Sequence, residues 1–128
     1  TMDFSWSYRG QKDRTVLTVT GEIDLHAAAS LEGAGHEAMD AHGPCLVVDF
    51  SGVTFMDASG ITALLRLRSE ATARGGFLRL DQLPERVLRI LVMTGTDEVL
   101  LTPPPALIGL STVNTDIRST EVGTWLTA

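Results

Sequence analysis

The chain has 128 residues, of which 44% are hydrophobic and 20% charged, as is typical of one soluble globular domain. Its formal net charge of −6 disfavours direct binding to nucleic acid or to acidic membrane surfaces. No apolar run reaches the ~20 residues of a membrane span, and a single cysteine, Cys45, excludes an internal disulfide. We therefore expect a cytoplasmic protein. The three scattered histidines also give no basis for a metal site or a cofactor site.

The first elements in chain order are two strands and a helix. "DFSWSY" (3–8) alternates aromatic and polar residues, as a half-buried strand does. "RTVLTVTG" (14–21) is rich in β-branched residues and predicts a second strand, paired with the first as a hairpin. "LHAAASLEGAGHEAMDAHG" (25–43) has apolar residues at helical spacing, and Gly43 and Pro44 end the pattern.

The middle of the chain continues the alternation of strands and helices. "CLVVDF" (45–50) predicts a central strand that is buried on both faces. The clearest helical pattern follows at 59–76, then a strand at 77–82 and a helix at 84–95. "DEVLL" (97–101) is read as a last short strand.

This order predicts an α/β fold. It has a mixed central β-sheet with an N-terminal antiparallel hairpin, and the alternating strands and helices make the rest of the sheet parallel. We assign residues 1–101 to one domain. Three successive prolines follow at 103–105 and cannot continue a helix or a central strand. We therefore expect residues 102–128 to form a C-terminal extension or a loosely docked tail.

The turn before the strongest helix holds the residues of greatest chemical interest. It reads Asp57-Ala58-Ser59-Gly60, with Ile61 next. We expect Ser59 to cap the helix, since a serine hydroxyl there can accept a bond from a first-turn amide. A phosphoryl group on Ser59 would add about −1.5 to −2 charge, and the amides of a helix N-terminus tolerate an anion. The fold would survive while the surface became more negative. We expect Gly60 to leave room for another molecule to approach the hydroxyl.

Four ordered segments resemble the STAS domain of the anti-sigma factor antagonist family. They are "VTGEIDLHAA", "LVVDFSGVTFMDASGITALLRL", "RGGFLRLDQ" and "VLRILVMTGTDEVL". The most specific part is the turn made of an acid, a small residue, a serine and a glycine. Many members have Ser or Thr where this chain has Ala58, so the resemblance leaves Ser59 as the one local hydroxyl.

The resemblance implies a partner-switching regulator and no catalytic residues. The unphosphorylated protein would bind an anti-sigma factor that is also a serine kinase, and would thereby release a sigma factor. Phosphorylation at Ser59 would end that binding, and a separate serine phosphatase would reset the cycle. The resemblance places Asp24 and Asp57 beside the phosphate acceptor. With these two, the predicted partner-binding residues are Ala58, Gly60 and Ile61.

Three alternatives have different sequence requirements. A STAS scaffold or ligand-sensing module with a silent Ser59 would share every feature above. A small serine hydrolase needs small residues on both sides of its serine, as in G-x-S-x-G, where this chain has Asp57 and Ile61. A phospho-aspartate receiver built on Asp49 needs an acidic pair after its first strand and a late lysine, and Lys12 is the only lysine.

Overall fold

The computed structural model describes residues 3–101. Within this range the elements are β1 (Ser5–Gln11), β2 (Arg14–Ile23), α1 (Leu25–His42), β3 (Cys45–Met56), α2 (Ala58–Ala73), β4 (Phe77–Asp81), α3 (Glu85–Met93) and α4 (Asp97–Leu100). None of the described helices has the length and apolar character needed to cross a membrane. The predicted C-terminal extension, 102–128, lies outside the described residues.

The sheet has the strand order β1-β2-β3-β4. β1 and β2 form an antiparallel hairpin, whereas β2 with β3 and β3 with β4 are parallel pairs. The connection from β2 to β3 is α1, and the connection from β3 to β4 is α2. This mixed sheet with alternating strands and helices confirms the α/β prediction.

One hydrophobic core lies between the sheet and the two long helices. Helices α1 and α2 contact each other and the strands, so both cover the same face of the sheet. Leu17 and Phe50 from the strands are fully buried in one cluster with Leu31 of α1 and Leu64 of α2. Burying a side chain of this size contributes about 1.5–3 kcal/mol. The pattern of apolar and polar residues along each strand therefore determines which face of the sheet packs against the helices.

Helices α1 and α2 approach closely because their contact includes a residue without a side chain. A β-carbon at Gly35 of α1 would overlap Leu67 Cδ2 of α2. At the far end of the two helices, Arg74 donates hydrogen bonds to Glu70 (2.7 Å) and to Asp40 of α1 (2.8 Å). The bond to Glu70, then the bond to Asp40, raises the pKa of the Arg74 guanidinium. Packing and ion pairs together fix the alignment of the two helices.

Several predicted elements differ from the observed ones. The first strand, predicted at 3–8 and half-buried, runs from Ser5 to Gln11 and is mostly exposed. The strand predicted at 45–50 extends to Met56, because β3 continues to pair with β2 as far as Ile23 opposite Met56. The segment predicted as a last strand is the short helix α4, so that prediction is wrong. Its acidic residues, Asp97 and Glu98, lie in the first helical turn, where the helix dipole favours negative charge.

Each long helix begins with an aspartate that directly follows a strand. Asp24 caps α1, and its Oδ1 accepts a hydrogen bond from the Ala27 amide (2.9 Å). Asp57 caps α2, and its Oδ1 accepts one from the Ser59 amide (2.9 Å). The prediction that Ser59 is the cap is therefore wrong. Helix α2 begins at Ala58, one residue earlier than predicted, so Ser59 is its second residue and Asp57 takes the cap position.

The first turn of α2 packs tightly on the sheet through Gly60. A methyl group at this position would lie 2.5 Å from Met56 Cγ and 3.0 Å from Ile23 Cγ2. Both neighbours are fully buried and have little room to move. Gly60 therefore serves close packing of α2 on the ends of β2 and β3, which is a different reason from the access predicted from sequence.

The capping assignment predicts a loss of stability for one of two neighbouring substitutions and little change for the other. Asp57→Ala should lower the free energy of unfolding by about 1 kcal/mol, because it leaves the Ser59 amide without its acceptor. Ser59→Ala should change it by less than about 0.5 kcal/mol. Urea unfolding of both variants is the measurement. Asp57→Asn is the control, since asparagine also caps and should retain most of the stability. A larger loss for Ser59→Ala than for Asp57→Ala would contradict the assignment.

The packing at Gly60 predicts a second pair of results. Alanine is the better helix former by about 1 kcal/mol, yet Gly60→Ala should destabilise by about 1–2 kcal/mol because it overpacks a closed site. Gly33 of α1 is exposed, and a β-carbon there would meet nothing within 4 Å. Gly33→Ala should therefore stabilise by roughly 0.5–1 kcal/mol. Thermal or urea unfolding would show the two shifts, and shifts of the same sign would argue against the packing explanation.

Candidate functional site

The candidate site lies where two parallel strands end side by side. Ile23 at the end of β2 pairs with Met56 at the end of β3. The pairing continues for one further bond, in which the Asp57 amide donates to the Ile23 carbonyl (3.1 Å). Because α1 and α2 begin directly after these strands, their N-termini lie at the same edge of the sheet. This edge presents the positive ends of two helix dipoles.

The hydroxyl of Ser59 is available at this edge. The Ser59 amide is occupied by Asp57, whereas among residues 3–101 no hydrogen-bond partner is recorded for its hydroxyl. The residue is half-buried, and it lines a cavity between α1 and α2. The backbone amide of Ser59 is therefore hydrogen-bonded within the fold, whereas its hydroxyl is available to react.

That cavity, which we name the α1–α2 groove, has a volume of about 270 Å³. Its lining residues are Leu25, Ala28, Ala29 and Glu32 from α1, and Ser59, Thr62, Ala63 and Arg66 from α2. Leu25 and the alanines make its wall largely apolar. Arg66 and Glu32 bridge the two helices, with 3.5 Å between Arg66 Nη1 and Glu32 Oε1. Leu25 is 75% exposed and is the largest apolar side chain on this wall.

A second cavity, which we name the acidic cavity, lies beside the start of α1. Its volume is about 290 Å³, and its lining residues are Asp3, Phe4, Glu22, Asp24, His26, Ala27 and Ser30. Asp24 lines this cavity, whereas the next residue, Leu25, lines the α1–α2 groove. The first turn of α1 therefore separates an acidic surface from the apolar groove that contains Ser59.

The five residues predicted as partner contacts differ in their exposure to solvent. Asp24 and Ala58 are exposed, and Asp57 is half-buried. Gly60 and Ile61 are buried, and Ile61 is only 5% exposed. These two residues support the turn from the core side. A contact with a partner stays a prediction for all five.

Most of the residues that line the α1–α2 groove were not predicted from the sequence. The sequence pattern could have indicated that Leu25 is exposed, because it lies off the apolar stripe that Leu31, Ala34 and Ala38 form along α1. No comparable signal marked the cross-helix pair of Glu32 and Arg66. Arg66 pairs with Glu32 on the neighbouring helix, although Glu70 stands four residues after it on α2.

No histidine or lysine is among the residues that line the groove. The carboxylate of Glu32 is paired with Arg66, and the carboxylate of Asp57 accepts a hydrogen bond from the Ser59 amide. Among the described residues no group of three or more acidic, histidine or cysteine side chains could hold a metal ion. An anion attached to Ser59 would lie in the first turn of α2, where the helix dipole favours negative charge. A phosphoryl group fits these requirements if another protein supplies the base and the nucleotide.

Comparison with known proteins gives the same family from sequence and from structure. A family model with the description "Mlab, STAS domain" matches residues 6–103. The anti-sigma-B factor antagonist of Bacillus subtilis (strain 168) is 26% identical over 84 residues, which is 66% of this chain and 76% of that protein.

Two solved structures share the fold. The anti-sigma factor antagonist from Mycobacterium paratuberculosis superposes with a TM-score of 0.66 at 25% identity, covering 88% of this chain and 95% of that one. The Bacillus cell fate determinant SpoIIAA in its phosphorylated form gives a TM-score of 0.57 at 20% identity, over 72% and 85% of the two chains. With a family match over three quarters of its length and two capped helices at one sheet edge, the chain belongs to the STAS domain family.

Proposed function

We propose that this protein is an anti-sigma factor antagonist that is switched by phosphorylation at Ser59. In the unphosphorylated form it binds an anti-sigma factor that is also a serine kinase, and this binding releases a sigma factor. Phosphorylation ends the binding, and a serine phosphatase restores the active form. The observation that carries this proposal is the division of roles at Ser59, whose amide is held by Asp57 while its hydroxyl is free at the α1–α2 groove.

The relatives support the proposal without deciding it. Two of the proteins that this chain resembles are named as anti-sigma factor antagonists. Another protein with the same fold has been solved in a phosphorylated form. We infer a cytoplasmic regulator without catalytic activity of its own, because sigma factors and ATP are found in the cytoplasm and no histidine or lysine is among the residues that line the groove.

The phosphorylation step follows from the groove's chemistry. A base of the kinase removes the proton from the Ser59 hydroxyl, and the oxygen attacks the γ-phosphorus of ATP. The new O–P bond forms as the bond to the β-phosphate oxygen breaks, and ADP leaves. The product anion lies in the first turn of α2, where the positive end of the helix dipole favours negative charge. The protein therefore accepts the phosphate without a change of fold.

The binding switch follows from the composition of the groove wall. Leu25, Ala28 and Ala29 form an apolar surface that a partner side chain can cover, excluding water from it. A phosphate at Ser59 adds about two negative charges at the edge of this surface. A partner would then have to strip water from the phosphate, which is costly unless a new cation pairs with it. Repulsion of the partner therefore needs no movement of α1 or α2.

The first test maps the phosphate. The full chain is incubated with ATP and each purified anti-sigma factor serine kinase of the source organism, and the products are analysed by mass spectrometry. We expect the wild-type protein to carry phosphate on Ser59. A bound kinase that leaves Ser59 unmodified would contradict the switch and would favour the scaffold or ligand-sensing module in which Ser59 is silent.

The second test separates charge from folding. Ser59→Asp should weaken binding of the anti-sigma factor by on the order of tenfold or more, because a misplaced interfacial charge costs more than ~1.4 kcal/mol. Its Tm should stay the same or rise slightly, since an acid in the first helical turn is favourable. Ser69→Asp is the matched control, because it adds the same charge to an exposed position of α2 outside the groove. Equal affinity of Ser59→Asp and wild type in calorimetric titration would contradict repulsion as the mechanism.

A further inference from the structure

A second hydroxyl lines the α1–α2 groove beside Ser59. Thr62 is three residues further along α2, so the two side chains lie one helical turn apart on the same wall. Thr62 is exposed. Its hydroxyl donates to the Ala58 carbonyl at 3.2 Å, a long bond to an acceptor within its own helix. The sequence resemblance left Ser59 as the one local hydroxyl, whereas the structure places two in one groove.

A cation lies one further turn along the same wall. Arg66 is four residues after Thr62 and lines the groove with it. Its guanidinium is 3.5 Å from Glu32, and its side chain is 66% exposed. An exposed ion pair of this length binds weakly. Arg66 can therefore turn towards a stronger anion at position 62, because a phosphate accepts several charge-assisted hydrogen bonds from one guanidinium.

We propose that Thr62 is a second phosphate-acceptor site, whose phosphate is held by Arg66. This inference rests on the proposed function, because the enzyme that modifies Thr62 is the same ATP-dependent serine kinase bound at the groove. The Thr62 oxygen attacks the γ-phosphorus of ATP and its proton passes to a base of the kinase. ADP leaves as the new O–P bond forms. A phosphate at Thr62 replaces Glu32 as the ion-pair partner of Arg66 and occupies the middle of the groove.

The other hydroxyls near the groove lack this combination. Ser30 lines the acidic cavity, where Glu22 and Asp24 would repel a phosphate. Thr72 is exposed on α2 but does not line the groove. Of the groove's lining residues, Thr62 alone combines an accessible hydroxyl with an arginine one turn away. A phosphate there blocks the surface that Leu25 and Ala28 offer to a partner.

The experiment uses full-length Ser59→Ala protein, so that any phosphate must go elsewhere. It is incubated with ATP and the same purified anti-sigma factor kinases, and phosphate is located by mass spectrometry. We expect phosphate on Thr62, abolished in the Ser59→Ala/Thr62→Val protein and retained in the matched Ser59→Ala/Thr72→Val protein. The phosphorylated Ser59→Ala protein should keep its Tm, and addition of Arg66→Ala should lower the Tm of the phosphorylated form more than that of the unphosphorylated form.

The outcomes separate this inference from the proposed function. Phosphate on Ser59 of the wild type, with none on Thr62 in any protein, overturns the inference and leaves the switch intact. Absence of phosphate at both residues overturns both. A third outcome is that Thr62 carries phosphate, but Arg66→Ala lowers the Tm of the phosphorylated and unphosphorylated forms equally. That outcome overturns the assignment of Arg66 as the partner of the phosphate.

Discussion

The parallel pairing of β2 with β3 through to their last residues is the constraint on which the site depends. Ile23 lies opposite Met56, and the Asp57 amide extends the ladder by one bond to the Ile23 carbonyl. A shift of this register would move one helix start relative to the other along the sheet edge. The alignment requires Gly21, whose φ of 97° and contact with the Asp3 backbone exclude a side chain where the register shifts. Both capped helix starts and the groove between them follow from this alignment.

Within that frame, adjacent residues carry separate tasks. Asp57 satisfies the first-turn amide, Gly60 lets the turn lie on Ile23 and Met56, and Ser59 contributes a side chain that the described part of the fold does not use. A residue whose side chain has a structural role resists chemical modification, because the modification removes that role. The division at this turn avoids that conflict, and it explains how a surface can acquire a large charge while the core beneath it stays packed.

The sequence predicted the parts of the structure that local rules decide. Strand alternation, the apolar stripe of α1, and the α/β order are read from neighbours within a few residues. The cap of α2 was misassigned because Asp57 and Ser59 both satisfy the local capping preference. The choice between them depends on where β3 ends. DEVLL is too short for periodicity to separate a strand from a helix. The pair of Glu32 and Arg66 depends on how α1 packs on α2, which no window of sequence contains.

The capping of α2 by Asp57 has a consequence for how such domains diverge. Since folding makes little demand on the Ser59 side chain, this position can change to alanine, threonine or an acid in a descendant chain while the domain remains intact. A regulated copy and a constitutive copy would then differ by a single codon, without an unstable intermediate between them. Under the switch proposed for Ser59, gene duplication could therefore produce sets of such domains with different switching behaviour on one unchanged scaffold.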